Sequence, residues 1–146
     1  MVRNDLFAKH MEVDCRFWKT DKFYVLQTDY HIELLDKGFK RYDEINLKDK
    51  VYKEVTFDAI ESAADVSTFC TYKGLKFFVE NTSNRKYTLR PLEEAMSYFK
   101  DFPKHGYDPM YEIQENEIEE IWEERKPIEE FIFDAEPIVF LKKNKV

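Results

Sequence analysis

Apolar and polar positions alternate from Glu12 to Phe17: Val13, Cys15 and Phe17 on one side, Glu12, Asp14 and Arg16 on the other. That period of two predicts a strand buried on one face. After the polar turn Thr20-Asp21-Lys22, Phe23 to Leu26 is an aromatic and β-branched run suited to a more buried strand. Tyr30 to Leu35 fits either more sheet or a helical turn, ended by Asp36-Lys37-Gly38, and residues 39–50 read as a loop with a short helix. Val51 to Phe57 alternates in part, and Ala59 to Asp65 is a small-residue connection. Val66 to Tyr72 and Leu75 to Glu80 flank Lys73-Gly74, which predicts a tight hairpin. A polar turn at Asn81–Asn84 leads to a strand at Lys86–Leu89, completing an antiparallel meander.

The C-terminal third changes period. Pro91 suits the first position of a helix, where its missing N–H costs nothing, and Leu92, Met96 and Phe99 with Ala95 form one apolar stripe. A second stripe, Ile118, Ile121, Trp122 and Arg125, predicts a helix ended by Pro127, with Trp122 docked on the sheet and the glutamates facing outward. Short strands are expected at Met110–Ile113 and Ile138–Leu141. The fold class expected is α+β: a single antiparallel β-sheet of five to seven strands with a central meander, and two main helices near 91–102 and 115–126.

Length and composition bound this picture. A chain of 146 residues suits a single globular domain over 1–146, and 16% aromatic residues supply a core despite 36% charged ones. Three glycines and five prolines exclude collagen-like and linker-like chains. No apolar run approaches the roughly 20 residues of a membrane-spanning helix, and Met1–Asp5 lacks the apolar stretch of an export signal, so a cytoplasmic protein is expected. Cys15 and Cys70 lie far apart without metal-ligand spacing and read as buried thiols.

Charge is uneven. The net charge is −7, and residues 101–146 account for all of it, with thirteen acids against six bases. Between Glu112 and Glu136 eleven carboxylates face only Arg125 and Lys126. Such a surface repels nucleic acid and anionic lipid and attracts cationic proteins. The basic residues around Lys73–Arg90, interleaved with Phe77, Phe78 and Tyr87, read as cross-strand packing.

The search for catalytic chemistry is mostly negative. The chain has no P-loop, no GxSxG, no HExxH, no calcium loop, and no PCxxC to complete the deaminase-like His31-Ile32-Glu33. His10, His31 and His105 are widely separated, and a histidine–carboxylate site assembled by the fold is the enzymatic alternative. No cofactor or metal is implied, and no catalytic residue is assigned.

Small size, many aromatics, the lack of a catalytic motif and the acidic stretch Glu115–Lys142 resemble bacterial toxin-immunity proteins, dedicated inhibitors that protect a cell from its own toxin. The resemblance implies a non-catalytic protein whose carboxylates dock against the Lys and Arg residues of a basic partner, a cognate nuclease-type toxin. The residues expected at that contact are Glu117, Glu119, Glu120, Glu123, Glu124, Glu129, Glu130 and Asp134. The other alternative is a structural or regulatory interaction domain, joined as a homodimer through an edge strand.

Overall fold

A computed structural model describes residues 2–41, 49–98, 104–105 and 108–143. Of these, 55% lie in strands and 12% in helical turns, so the α+β expectation with two main helices is overturned: the protein is mostly β. The strands are β1 (Asp5–His10), β2 (Val13–Lys19), β3 (Tyr24–Asp29), β4 (Lys50–Val55), β5 (Ser62–Tyr72), β6 (Leu75–Ser83), β7 (Lys86–Pro91), β8 (Lys104–His105), β9 (Asp108–Pro109), β10 (Tyr111–Gln114), β11 (Glu120–Lys126) and β12 (Ile138–Lys142). Two short helices, α1 (Ile32–Leu35) and α2 (Glu93–Tyr98), and 3-10 turns at Phe57–Ala59 and Glu115–Glu117 complete the elements. Backbone contacts divide the chain into two compact units.

One unit holds residues 5–65 and 126–135. Strands β1 to β4 pair in chain order, all antiparallel. Cys15, Phe17, Leu26, Leu34, Phe39, Val51 and Val55 form its core. The returning segment 126–135 closes it: Ala63 donates its N–H to the Ile132 carbonyl, and the Phe131 ring packs against Phe17, Tyr24 and Phe57 with centroids 5.1–5.6 Å apart. The β1–β2 hairpin has a two-residue loop, since His10 pairs with Val13. Both loop residues take positive φ, 50° at Met11 and 66° at Glu12, as hairpin twist demands. Neither is a residue that tolerates that region well. Glu12→Gly is therefore expected to stabilise the protein by about 1 kcal/mol, read as a raised urea midpoint at unchanged slope.

The other unit holds residues 1–4, 66–125 and 136–146. Its strands run in the order β12-β11-β5-β6-β7-β10, β5 contributing from Val66 onward. Tyr72 pairs with Leu75, leaving Lys73 (φ 52°) and Gly74 (φ 76°) as the β5–β6 turn, and glycine fits the second position without steric cost. Asn84 and Arg85 make the equivalent turn between β6 and β7. Cys70, Phe77, Val79, Leu89, Tyr111, Ile113, Ile118 and Ile121 form a second core, which also takes in Ala95 of α2.

Both expected helices differ from the sequence reading. Pro91 ends β7, and the helix begins at Glu93; Ala95 is buried whereas Met96 is 51% exposed. The expected helix end at 102, with Phe99, lies outside the described residues. The stretch expected as a helix over 115–126 makes one 3-10 turn, closed by a reciprocal Gln114–Glu117 capping box, then extends at Ile118 and runs as strand β11. A helix there sets Glu117, Glu120, Glu123 and Glu124 three or four positions apart on one face, where like charges repel. As a strand, the same sequence sends Ile121 and Glu123 to one side and Glu120, Trp122 and Glu124 to the other.

Candidate functional site

Alternation along β11 separates two environments. On the core side, Glu123 is only 3% exposed. Its carboxylate accepts the Arg3 fork, Nε to Oε2 and Nη2 to Oε1, both at 2.9 Å. Arg125 donates to the same Oε1 from Nε at 3.0 Å and from Nη2 at 2.6 Å. Burial pushes the Glu123 pKa up, but the hydrogen bonds and charges of the two guanidiniums outweigh it and hold the carboxyl below its ordinary 4.5. The N-terminal strand entry is fixed around this pair: Asn4 donates to the carbonyls of Val79 and Glu80 and accepts from the Thr68 N–H, and Thr68 Oγ1 donates to the Arg3 carbonyl.

The opposite side of the same sheet carries an aromatic row. Phe140 of β12 lies 5.9 Å from Trp122 of β11, Trp122 stacks on Phe69 of β5 at 6.4 Å, and Phe69 meets Phe78 of β6 edge-on at 5.7 Å. Cross-strand register places these rings side by side: Trp122 pairs with Phe140, and Phe69 with Phe78. The Lys76 ammonium sits 4.2 Å from the Phe69 ring centre and donates to Glu124 Oε2, which also accepts from the Trp122 indole. Trp122, Phe69 and Phe78 are half-buried, whereas Phe140 at 45% and its neighbours Ile138 at 54% and Leu141 at 50% are well exposed.

The carboxylates expected at a partner contact have different fates. Glu123 is buried, with Arg3 and Arg125 on its oxygens, so it has no surface to offer. Glu117 caps its own turn through the Gln114 N–H, and Glu119 accepts the Gly74 N–H. Glu124 and the half-buried Glu120 flank Trp122 on the aromatic side. Glu129, Glu130 and Asp134 are exposed but belong to the other unit. Trp122, expected to pin a helix, instead joins a surface row. Among the cations of the β5–β7 region, Lys76, Arg90 and Lys86 are matched by Glu124, Glu80 and Glu112.

Among the described side chains, His10 and His31 lie in different environments. His10 is buried, its Nδ1 2.7 Å from the Ala59 carbonyl and its Nε2 2.8 Å from Lys53 Nζ, which also donates to the Lys37 carbonyl. With the carbonyl fixing the proton on Nδ1, Nε2 accepts from the ammonium, and this trio ties β1 and β4 to the end of α1. His31 is exposed at the start of α1, and the side chain of His105 lies outside the described residues. Cys15 and Cys70 are free, and burial raises both thiols to about 12. Among the described residues no cluster of three or more His, Cys, Asp or Glu side chains is placed to hold a metal ion. No helix among them is long and apolar enough to cross a membrane. A polar hollow of about 390 Å³, lined by Arg85, Gln114, Glu115, Asn116 and Lys142, has its lysine committed to the carbonyls of Glu115 and Ile118.

Comparison with curated proteins and with solved structures gives no match to either. A family model does match, over residues 2–130, and by it this chain belongs to the family described as uncharacterised conserved protein UCP033725.

Proposed function

We propose that this is a non-catalytic binding protein of the cytoplasm that neutralises a basic protein partner, an immunity protein blocking a nuclease-type toxin. The observation that carries the reading is the aromatic row Phe78–Phe69–Trp122–Phe140, half-exposed on the side of the sheet away from the core and bordered by Glu120 and Glu124. Aromatic anchors inside a polar rim are the usual make-up of a protein-binding hot spot, and clustered rings on a monomer's surface otherwise lower solubility. The net charge of −7 favours a cationic partner. Carboxylates steer such a partner towards association rates of roughly 10⁸–10⁹ M⁻¹s⁻¹ at low salt, and its phosphate-binding Lys and Arg are the natural counterparts. Free, buried cysteines fit a reducing compartment.

A photo-cross-linking residue placed at Phe140 in the native cell tests this. The expected product is a covalent adduct with one strongly basic protein, lost when Trp122 is also replaced by alanine. A control cross-linker at Ile32, exposed in the other unit, should not give it. An adduct with an acidic protein, or the same adducts from both positions, contradicts the reading.

A further inference from the structure

The edge of β12 has an arrangement separate from the aromatic face. The Arg125 N–H donates to the Pro137 carbonyl at 2.8 Å, which sets the phase of the β11–β12 ladder. Hydrogen-bonded pairs in an antiparallel ladder recur every second residue, so Arg125·Pro137 and Glu123·Val139 are the bonded pairs. Ile138 and Phe140 then turn their N–H and C=O groups away from β11. Among the described residues β12 pairs with β11 alone, so these four groups point out from the sheet edge. Beside them the Ile138, Phe140 and Leu141 side chains are exposed. Proteins ordinarily blunt such an edge with charge, bulges or cover. Among the described residues the blunting lies at the ends: Pro137 at the entrance, and the Ile121/Trp122 register shift with Lys142 and Lys143 at the exit.

We infer that β12 pairs antiparallel with β12 of a second copy of this chain, across a two-fold axis at Val139. In that register Ile138 of one copy lies opposite Phe140 of the other, twice. Both residues have outward backbone groups and both have side chains on the aromatic face, so four hydrogen bonds form and apolar side chains meet on the same side. The pairing is also complementary in charge. The acidic entrance of β12, Glu136, comes beside the basic exit of the other copy at both ends, where Lys143 is exposed. The two aromatic rows then join into one stripe. The inference uses the strand edge and goes beyond the reading of the face: a protein that stays monomeric leaves the proposed function standing.

Sedimentation of the full chain from micromolar to several hundred micromolar, with residue-resolved amide exchange on the same samples, tests it. The expected result is a rise from one to two copies of the 17.7 kDa chain. The Ile138 and Phe140 amides should slow by at least about tenfold with concentration, and Val139 should be protected throughout. Phe140→Lys should remain folded by circular dichroism and stay at one copy. Should that variant unfold, the wild-type exchange pattern decides alone. A one-copy mass over the whole range, or a dimer in which Ile138 and Phe140 exchange as fast as in the monomer, overturns the inference.

Discussion

Glu123→Ala is expected to destabilise the protein by about 3 kcal/mol, the largest single-residue effect on this fold's stability that its polar groups predict. The carboxylate is almost wholly buried and receives four hydrogen bonds from two guanidiniums. Removing it takes from Arg3 and Arg125, both largely buried, the carboxylate that receives all four of these bonds and sets a negative charge between the two guanidiniums. Their remaining access to water keeps the figure at the low end of the 3–5 kcal/mol range typical of broken buried pairs. Glu123→Gln keeps the shape and loses the charge, and is expected to cost less. Acid should produce the same loss in the wild type. The folded-state pKa of Glu123 lies below its unfolded value, so the stabilisation is complete well above 4.5. It declines as pH falls through that value towards the lower folded one, below which it is gone. Urea midpoints measured from pH 7 to pH 3 should therefore fall more steeply for wild type than for Glu123→Gln. Parallel curves would show that Glu123 is not the linked group.

Trp122→Ala is expected to weaken partner binding by about 2–4 kcal/mol, roughly 30- to 1,000-fold in Kd. The indole is the centre of the aromatic row, stacked on Phe69, beside Phe140, and hydrogen-bonded to Glu124. Removing it opens a gap in the row and takes one hydrogen bond from Glu124. The isolated protein should lose only about 1–2 kcal/mol, because the ring is half-buried before any partner arrives. Calorimetric titration with the captured partner, beside a denaturation curve of the same variant, separates the two effects. Equal losses in both would place Trp122 in the fold and remove it from recognition.

How far the sequence exposed this arrangement differs by element. The strands β2 and β3 and the run β5–β6–β7 follow from alternation and from turn residues such as Gly74, because one face of each is apolar. β1 does not: its hairpin turns on Met11-Glu12, neither of them a turn residue, so the chain reverses without the usual signal. β11 was hidden by its own charges. Counted as solvent-facing, Glu123 breaks the strand period and leaves a helical one; its pairing with Arg125 and with Arg3, 120 residues away, makes it an interior residue. The acidic character of the segment was legible, but which carboxylates stay at the surface depends on such long-range partners. The aromatic row was not legible at all, since Phe69, Phe78, Trp122 and Phe140 are brought together by register between four strands. A like mixture of patterns hides Trp122, whose neighbours Ile118 and Ile121 suggested a helix face.

The most direct measurement is the association rate constant of this protein with its captured basic partner as salt is raised from about 20 to 500 mM, for wild type and for Glu120→Lys. The Debye length shrinks several-fold over that interval. A docking face of rings bordered by carboxylates predicts a rate that falls steeply with salt in the wild type, a lower and flatter curve for Glu120→Lys, and dissociation that changes little. Identical, salt-insensitive association for both proteins would contradict it.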